Sequence, residues 1–309
     1  MIANVSCPRC RHSFQVDLPD QNRTYRTYCP KCRHEFDIGP PSYPAPPVPP
    51  PFAYPDEEYA KKQIMNAAYM RTRTDEIMSF AWVIIPIMLT LCSYGIMTIW
   101  FFVSMELPTF FFFFFVIIAI AVIFAVIYLI LYYKLIKRRN EHFKRDMMLR
   151  EGIIQFIHNR SYKTGKVYEV SADLGTLQSI HAFAQSDENE KEAILWVILS
   201  LFVPFIGLYV MYFLTKDSCL HDSRQSSFIR YASSAFQKMG ITVQPSYKNI
   251  PQRSAILYLI LSLFIPFFSI FLFLPSLFSV YWLYGIIKDL NNHFKSQWVF
   301  ENSLVNALR

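Results

Sequence analysis

Ala193-Ile-Leu-Trp-Val-Ile-Leu-Ser-Leu-Phe-Val-Pro-Phe205 returns later in the chain as Ala255-Ile-Leu-Tyr-Leu-Ile-Leu-Ser-Leu-Phe-Ile-Pro-Phe267, with ten of thirteen positions identical. Shared apolar composition alone does not account for that identity, and it reads as an internal repeat. The polar residues C-terminal to each stretch repeat as well. Tyr212, Lys216 and His221 share a Y-x3-K-x4-H spacing with Tyr284, Lys288 and His293, and Tyr133, Lys137 and His142 show it a third time. Asn140-Glu-His-Phe-Lys144 and Asn291-Asn-His-Phe-Lys295 extend the match. Three units result, each an apolar segment running into a polar, partly amphipathic helix.

The first unit is apolar for longer. Phe80–Val103 and Phe110–Tyr133 lack Lys, Arg, Asp and Glu, and each exceeds the roughly 20 residues needed to span a bilayer. Glu106 and no basic residue lies between them, whereas Lys134, Lys137, Arg138 and Arg139 follow the second. The positive-inside rule places that turn outside and both ends inside. Ala193–Leu214 is long enough to cross once, but Ala255–Ile287 as one helix would run about 50 Å, beyond a hydrocarbon core of about 30 Å. Pro204, Pro266 and Pro275 favour bent hairpins over straight spans, since each removes a helical hydrogen bond. Hairpins keep every Lys and Arg on one face of the membrane. A four-span layout instead puts Lys216, Arg224, Arg230, Lys238, Lys248 and Arg253 outside. Composition agrees with a membrane protein: 53% of 309 residues are hydrophobic, 29 are Phe and only 8 are Gly. The net charge of +7 fits basic flanks of membrane segments better than a nucleic-acid surface.

Ahead of these segments stand Cys7-Pro-Arg-Cys10 and Cys29-Pro-Lys-Cys32. Two CxxC knuckles separated by 18 residues suit a tetrahedral Zn2+ site, in which all four thiolates must converge at about 2.3 Å. Pro8 and Pro30 stiffen the knuckles, and Phe14, Val16, Phe36 and Ile38 supply a small core for two β-hairpins. His12 and His34 are alternative ligands, but four cysteines already complete the shell, so the zinc is structural. Residues 1–60 hold no apolar signal region, so reduced thiols and a cytoplasmic N-terminus are expected. Residues 5–38 resemble the short zinc-ribbon finger at the N-terminus of many uncharacterised prokaryotic membrane proteins. The chain departs from it at Arg11 and Arg33, where that family more often has Gly to relieve a positive φ. Residues 190–309 resemble an uncharacterised prokaryotic multi-pass membrane-domain family, through Tyr281-Trp-Leu-Tyr284 running into His293. That resemblance implies membrane residence and no established activity.

The expected fold class is a mainly α-helical integral membrane protein with a small N-terminal β zinc ribbon. Its parts are the ribbon (1–38), a Pro-rich linker (39–55), an approach helix with a two-span hairpin and an amphipathic helix (56–160), a third membrane segment with helices (161–254), and a Pro-broken fourth segment with a C-terminal helix (255–309). The linker holds 9 of 19 prolines and reads as an extended spacer. Residues 140–160 read as an interfacial helix with Lys144, Arg145 and Arg150 on its wet face. Ser171 reads as a helix cap, and Gly240 as a helix stop. His142, His221 and His293 read as headgroup-level residues. A converged metal or lipid-phosphate site is the alternative and would require three helices to meet.

No GxSxG, HExxH, Walker or dinucleotide motif occurs, and the apolar spans carry no ionisable group of the kind that pumps keep there. The leading expectation is therefore a non-enzymatic protein of the cell membrane. Its cytoplasmic ribbon, basic through Arg9, Arg11, Arg23, Arg26, Lys31 and Arg33, docks a protein partner as a scaffold or sensor module. Nucleic acid is a less favoured ligand, and homo-oligomers are compatible with the repeats. The alternative is a small-solute transporter or channel with a path lined by Ser200, Ser262, Ser269, Tyr209 and Tyr281.

Overall fold

A computed structural model of the chain describes residues 2–17, 25–38, 56–103, 107–203, 205–268 and 273–309. The linker 39–55 and Ser269 lie outside the described residues. The chain divides into two units, Met1–Tyr54 and Pro55–Arg309.

The first unit is a pair of β-hairpins. β1 (Ile2–Ser6) pairs antiparallel with β2 (Ser13–Asp17), with Val5 opposite Phe14. β3 (Tyr25–Tyr28) pairs with β4 (Glu35–Ile38), with Thr27 opposite Phe36. The rings of Phe14 and Phe36 meet edge to face at 6.2 Å, which joins the two hairpins apolar side to apolar side.

The second unit is helical: α1 (Glu57–Thr74), α2 (Ala81–Val103), α3 (Leu107–Thr164), α4 (Val167–Asp187), α5 (Ala193–Phe202), α6 (Ile206–Lys238), α7 (Ala255–Phe268) and α8 (Phe273–Leu308). Among the described residues, α2 and α3 are the two helices long and apolar enough to cross a membrane, with best windows of mean hydropathy 1.9 and 3.3 that are only 11% and 6% buried. A core helix of a water-soluble protein would bury such a window. α3 does not stop at Tyr133 but continues for 58 residues in all, about 87 Å at 1.5 Å per residue. It ends at Gly165, whose φ of +68° lets Lys166 N–H reach back to Ser161 O at 2.9 Å. α4 starts directly afterwards at Val167, so Ser171 lies inside the helix and not at its cap; its hydroxyl donates to Tyr168 O.

α5 has ten residues, about 15 Å, and so reaches only half a hydrocarbon core. After Val203 the chain turns through Phe205, at φ +66°, and α6 runs back along α5. Trp196 packs on Tyr209 and Phe213 at 5.3 and 5.4 Å. α7 and α8 meet in the same way, with Tyr258 packed on Phe278 and Trp282 at 5.8 and 5.6 Å. Gly240, at φ +82°, closes α6 as expected of a helix stop: Gly240 N–H bonds Gln237 O and Ile241 N–H bonds Phe236 O.

Two apolar clusters organise this unit. One gathers Leu131, Leu135 and Ile136 of α3, Val210–Leu214 of α6 and Trp282–Ile287 of α8. The other gathers Leu149–Ile157 of α3, Phe228–Phe236 of α6 and Phe300–Leu308 of α8, together with α1 and α4. Each of α3, α6 and α8 therefore passes through one cluster and then the other. Between the clusters, all three helices are polar. Arg138, Arg139, His142, Arg145, Asp146 and Arg150 of α3 are at most 2% exposed. Along the expected interfacial helix over 140–160, Lys144 stays exposed as expected, but Arg145 and Arg150 are interior side chains. Their partners come largely from distant residues: Asp75 and Glu301 for Arg145, Asp146 and Glu188 for Arg150.

Candidate metal centres

In the first unit, Cys7, Cys10, Cys29 and Cys32 bring their sulfurs within 4.8 Å of one another. Cys7 Sγ lies 3.6 Å from Cys32 Sγ, and Cys10 Sγ lies 3.6 Å from Cys29 Sγ. Four thiolates held tetrahedrally at about 2.3 Å from zinc stand about 3.8 Å apart, so the spacing suits that ion. The knuckles form because the chain reverses tightly. Arg11 and Arg33 take φ of +59° and +55°, and their N–H groups donate to Cys7 O and Cys29 O at 2.9 and 2.8 Å. Cys7 and Cys29 in turn donate their backbone N–H to His12 O and His34 O. Arginine therefore occupies the left-handed position itself, at a local cost of about 1 kcal/mol each. His12 and His34 stack on Phe14 and Phe36 and are not among the converged donors.

A second cluster lies in the other unit. His142 of α3, His221 of α6 and His293 of α8 are each at most 1% exposed. Their Nε2 atoms face one another: His142 Nε2 is 3.1 Å from both His221 Nε2 and His293 Nε2. Each ring is held from behind by an acid on its Nδ1. Asp75 Oδ1 lies 3.0 Å from His142 Nδ1, Asp222 Oδ1 lies 3.0 Å from His293 Nδ1, and Glu188 Oε1 lies 3.1 Å from His221 Nδ1. Tyr247 Oη is also 2.7 Å from His293 Nδ1 and donates to Asp222 at 2.6 Å. Arg150 Nη2 approaches His221 Nδ1 at 3.1 Å. Ring packing fixes the orientations: Phe143 stacks on His221 at 4.2 Å, and Phe294 lies 4.4 Å from His142. Burial pushes His142 down to about 4 in spite of Asp75, and holds His221 well below the usual imidazole range.

The loops that lead into the hairpins are pinned to the same three helices. Asn291 of α8 accepts from Met78 N–H and donates to Met78 O. Asn140 of α3 does the same with Lys191, at 3.2 and 2.6 Å. A side-chain amide bonded to both backbone groups of one residue mimics a strand partner, and so it satisfies a loop that has none. Cys219 of α6, two residues before His221 as the asparagines are before theirs, lies against Pro251 O and Arg253 O. Cys92 is exposed on α2.

The repeated Tyr-Lys-His spacing thus holds two different things. Its Tyr-Lys part is a local contact, with Lys137 over Tyr133 and Lys288 over Tyr284 at 5.9 and 5.1 Å. Its His part marks residues that converge in the protein interior, away from solvent. The acids behind them, Asp75, Glu188 and Asp222, and Tyr247 belong to no motif that would mark them in the sequence. A cavity of about 540 Å³ beside α2 and α3 is lined by Thr90, Ser93, Tyr94, Tyr128 and Ser279 among others, which are not the residues expected to line a solute path. Both clusters have the donors to hold a metal ion. No family model, curated protein or solved structure matches the chain, so its chemistry is read from these contacts.

Proposed function

We propose that the chain is a non-enzymatic multi-pass protein of the cell membrane, whose N-terminal ribbon binds structural Zn2+ in the cytoplasm and docks a protein partner. The observation that carries this reading is the closed four-cysteine cluster, set in a unit of its own ahead of two long apolar helices that the rest of the fold leaves bare. Four sulfurs complete a tetrahedron and leave no open position for substrate. The ribbon therefore offers a shape and a basic surface, not a reaction. Three hairpins, α2–α3, α5–α6 and α7–α8, form the membrane part as repeated units. The equivalent packing of Trp196 on Tyr209 and of Tyr258 on Tyr281 supports the repeat, as does the matched pinning by Asn140 and Asn291. α5 and α7 dip into the bilayer and return, which leaves the basic ends of all three units on the ribbon's side.

The test is co-purification from native membranes with the full chain and with its Cys29→Ser/Cys32→Ser variant. Loss of a stoichiometric protein partner in the variant is expected, and an unchanged partner set refutes docking. Orientation is checked by thiol labelling of Arg230→Cys in sealed vesicles, where shielding from the outside is expected. A solute path is the second reading, favoured by the hydroxyl-lined cavity beside α2 and α3. Flux into liposomes above that of protein-free controls would support it.

A further inference from the structure

We propose that His142, His221 and His293 bind one divalent transition-metal ion through their Nε2 atoms, at a centre independent of the ribbon. Three observations lead there. The first is proton placement. A carboxylate only accepts hydrogen bonds, so Asp75 and Asp222 place the ring protons of His142 and His293 on Nδ1. At His221 Nδ1 the hydrogen bond comes from Arg150 Nη2, which only donates, with Glu188 Oε1 3.1 Å away on the same nitrogen. The Nε2 lone pairs of His142 and His293 then point at each other across 3.1 Å in a buried interior. Facing lone pairs repel, and a cation between them relieves that repulsion and takes His221 Nε2 as a third donor once the His221 ring proton moves to Nδ1, toward Glu188.

The second observation is distance. Bonds of about 2.0–2.1 Å meeting at angles between about 90° and 109° separate their nitrogens by about 2.8–3.4 Å, which brackets the 3.1 Å found. The third is the outer shell. Metal-bound histidines characteristically donate their other N–H to a carboxylate, which fixes the tautomer and raises the ligand's basicity. His142 and His293 have such an acid in Asp75 and Asp222, and Glu188 stands 3.1 Å from His221 Nδ1.

Three imidazoles favour zinc, cobalt, nickel, copper or iron over magnesium or calcium, which prefer oxygen. Asp146 stands one turn beyond His142 with Oδ2 3.9 Å from His221 Nε2. That carboxylate lies outside the trio of donors and is placed to accept from a water in the fourth position. The ion would tie together three helices that each continue into a membrane hairpin, and so act as a clasp on the whole assembly.

The test uses the full chain in detergent with Cys7, Cys10, Cys29 and Cys32 all changed to Ser, which disables the ribbon and leaves the histidines untouched. After equilibration with Zn2+ and removal of loose ion, the expected metal content is about one per chain, against about two for the unaltered protein. X-ray absorption at the zinc edge should show imidazole scatterers near 2.0 Å, and the Co2+ form should lack thiolate charge-transfer bands. Further change of His293→Gln should remove the ion. A chain with the four ribbon cysteines changed that keeps its helical circular dichroism but holds no Zn2+ or Co2+ overturns the proposal. So does retained metal without imidazole scattering, which needs no histidine variant to observe.

Discussion

Glu301 offers a sharp test of how the polar interior is balanced. Its side chain is fully buried on α8. Oε1 accepts from Arg145 Nη1 at 2.6 Å, while Oε2 has no hydrogen bond and lies 3.7 Å from Arg71. Burial, assisted by the nearby charges of Asp75 and Asp146, outweighs Arg145 and pushes the carboxyl from 4.5 up to about 7. A carboxyl raised in the folded state binds its proton more tightly there than in the unfolded chain. Its contribution is complete below about pH 4.5 and is lost as pH rises toward and through about 7. At about 1.36 kcal/mol per pH unit, the gap between 4.5 and about 7 corresponds to about 3 kcal/mol. Glu301→Gln keeps an acceptor for Arg145 and has no charge to bury. The variant should match the unaltered protein near pH 4.5 and exceed it by up to about 3 kcal/mol at pH 8, or roughly 6–12 °C in Tm for a unit of this size. The assay is thermal unfolding of both proteins in the same detergent from pH 4.5 to 8, read as their difference, so that other titrating groups cancel. A difference that stays flat with pH, or a variant that weakens as pH rises, would show that Arg145 neutralises an ionised Glu301 and would refute the reasoning.

Arg145→Met removes the bidentate partner of Asp75 and the main partner of Glu301; it should cost about 3–5 kcal/mol, seen as a large fall in Tm, whereas a change below about 1 kcal/mol would contradict the buried network. Trp282, fully buried, donates to Thr215 Oγ1 at 2.7 Å, and Trp282→Phe should cost about 1–3 kcal/mol by removing that bond and opening space, while Thr215 keeps its bond to Met211 O. Gly152 lets α1 approach α3 so closely that an added Cβ would lie 3.1 Å from Ile64 Cγ1 and 3.3 Å from Ile64 N. Gly152→Ala should therefore destabilise by about 1–3 kcal/mol, while Gly175→Ala, in a helical position with open space, should stabilise by about 0.5–1 kcal/mol. The paired melts check both signs. Replacing Cys29 with Ser should lower zinc content by one ion without altering the helical signal, and preserved zinc would contradict a four-thiolate shell.

Much of this architecture was legible because its signals are local. Two CxxC knuckles declare their own convergence, and apolar runs with Pro204 and Pro266 announce short helices that turn back. The Tyr-Lys-His spacing picks out the three histidines that converge. Their fate was not legible, because what decides it is far away in sequence. A lone helix over 140–160 shows Lys144, Arg145 and Arg150 as a charged face, and burial there would be prohibitive without partners. Those partners are Asp75, Glu188 and Glu301, and only tertiary packing brings them to α3. Ser171 illustrates the smaller error: it has the chemistry of a cap, but Gly165 reverses the chain first, so α4 begins a turn earlier. Arg11 and Arg33 show the opposite case, where an unexpected residue type adopts the backbone state that the knuckle demands.

The spread of the three histidines along the chain has a consequence for biogenesis. Residues 7–32 can close around zinc as soon as a short stretch has left the ribosome. The Nε2 cluster needs α3, α6 and α8 together. A chain cut before α8 lacks His293 and Glu301, and would leave His142 and Arg145 without partners that the complete unit supplies.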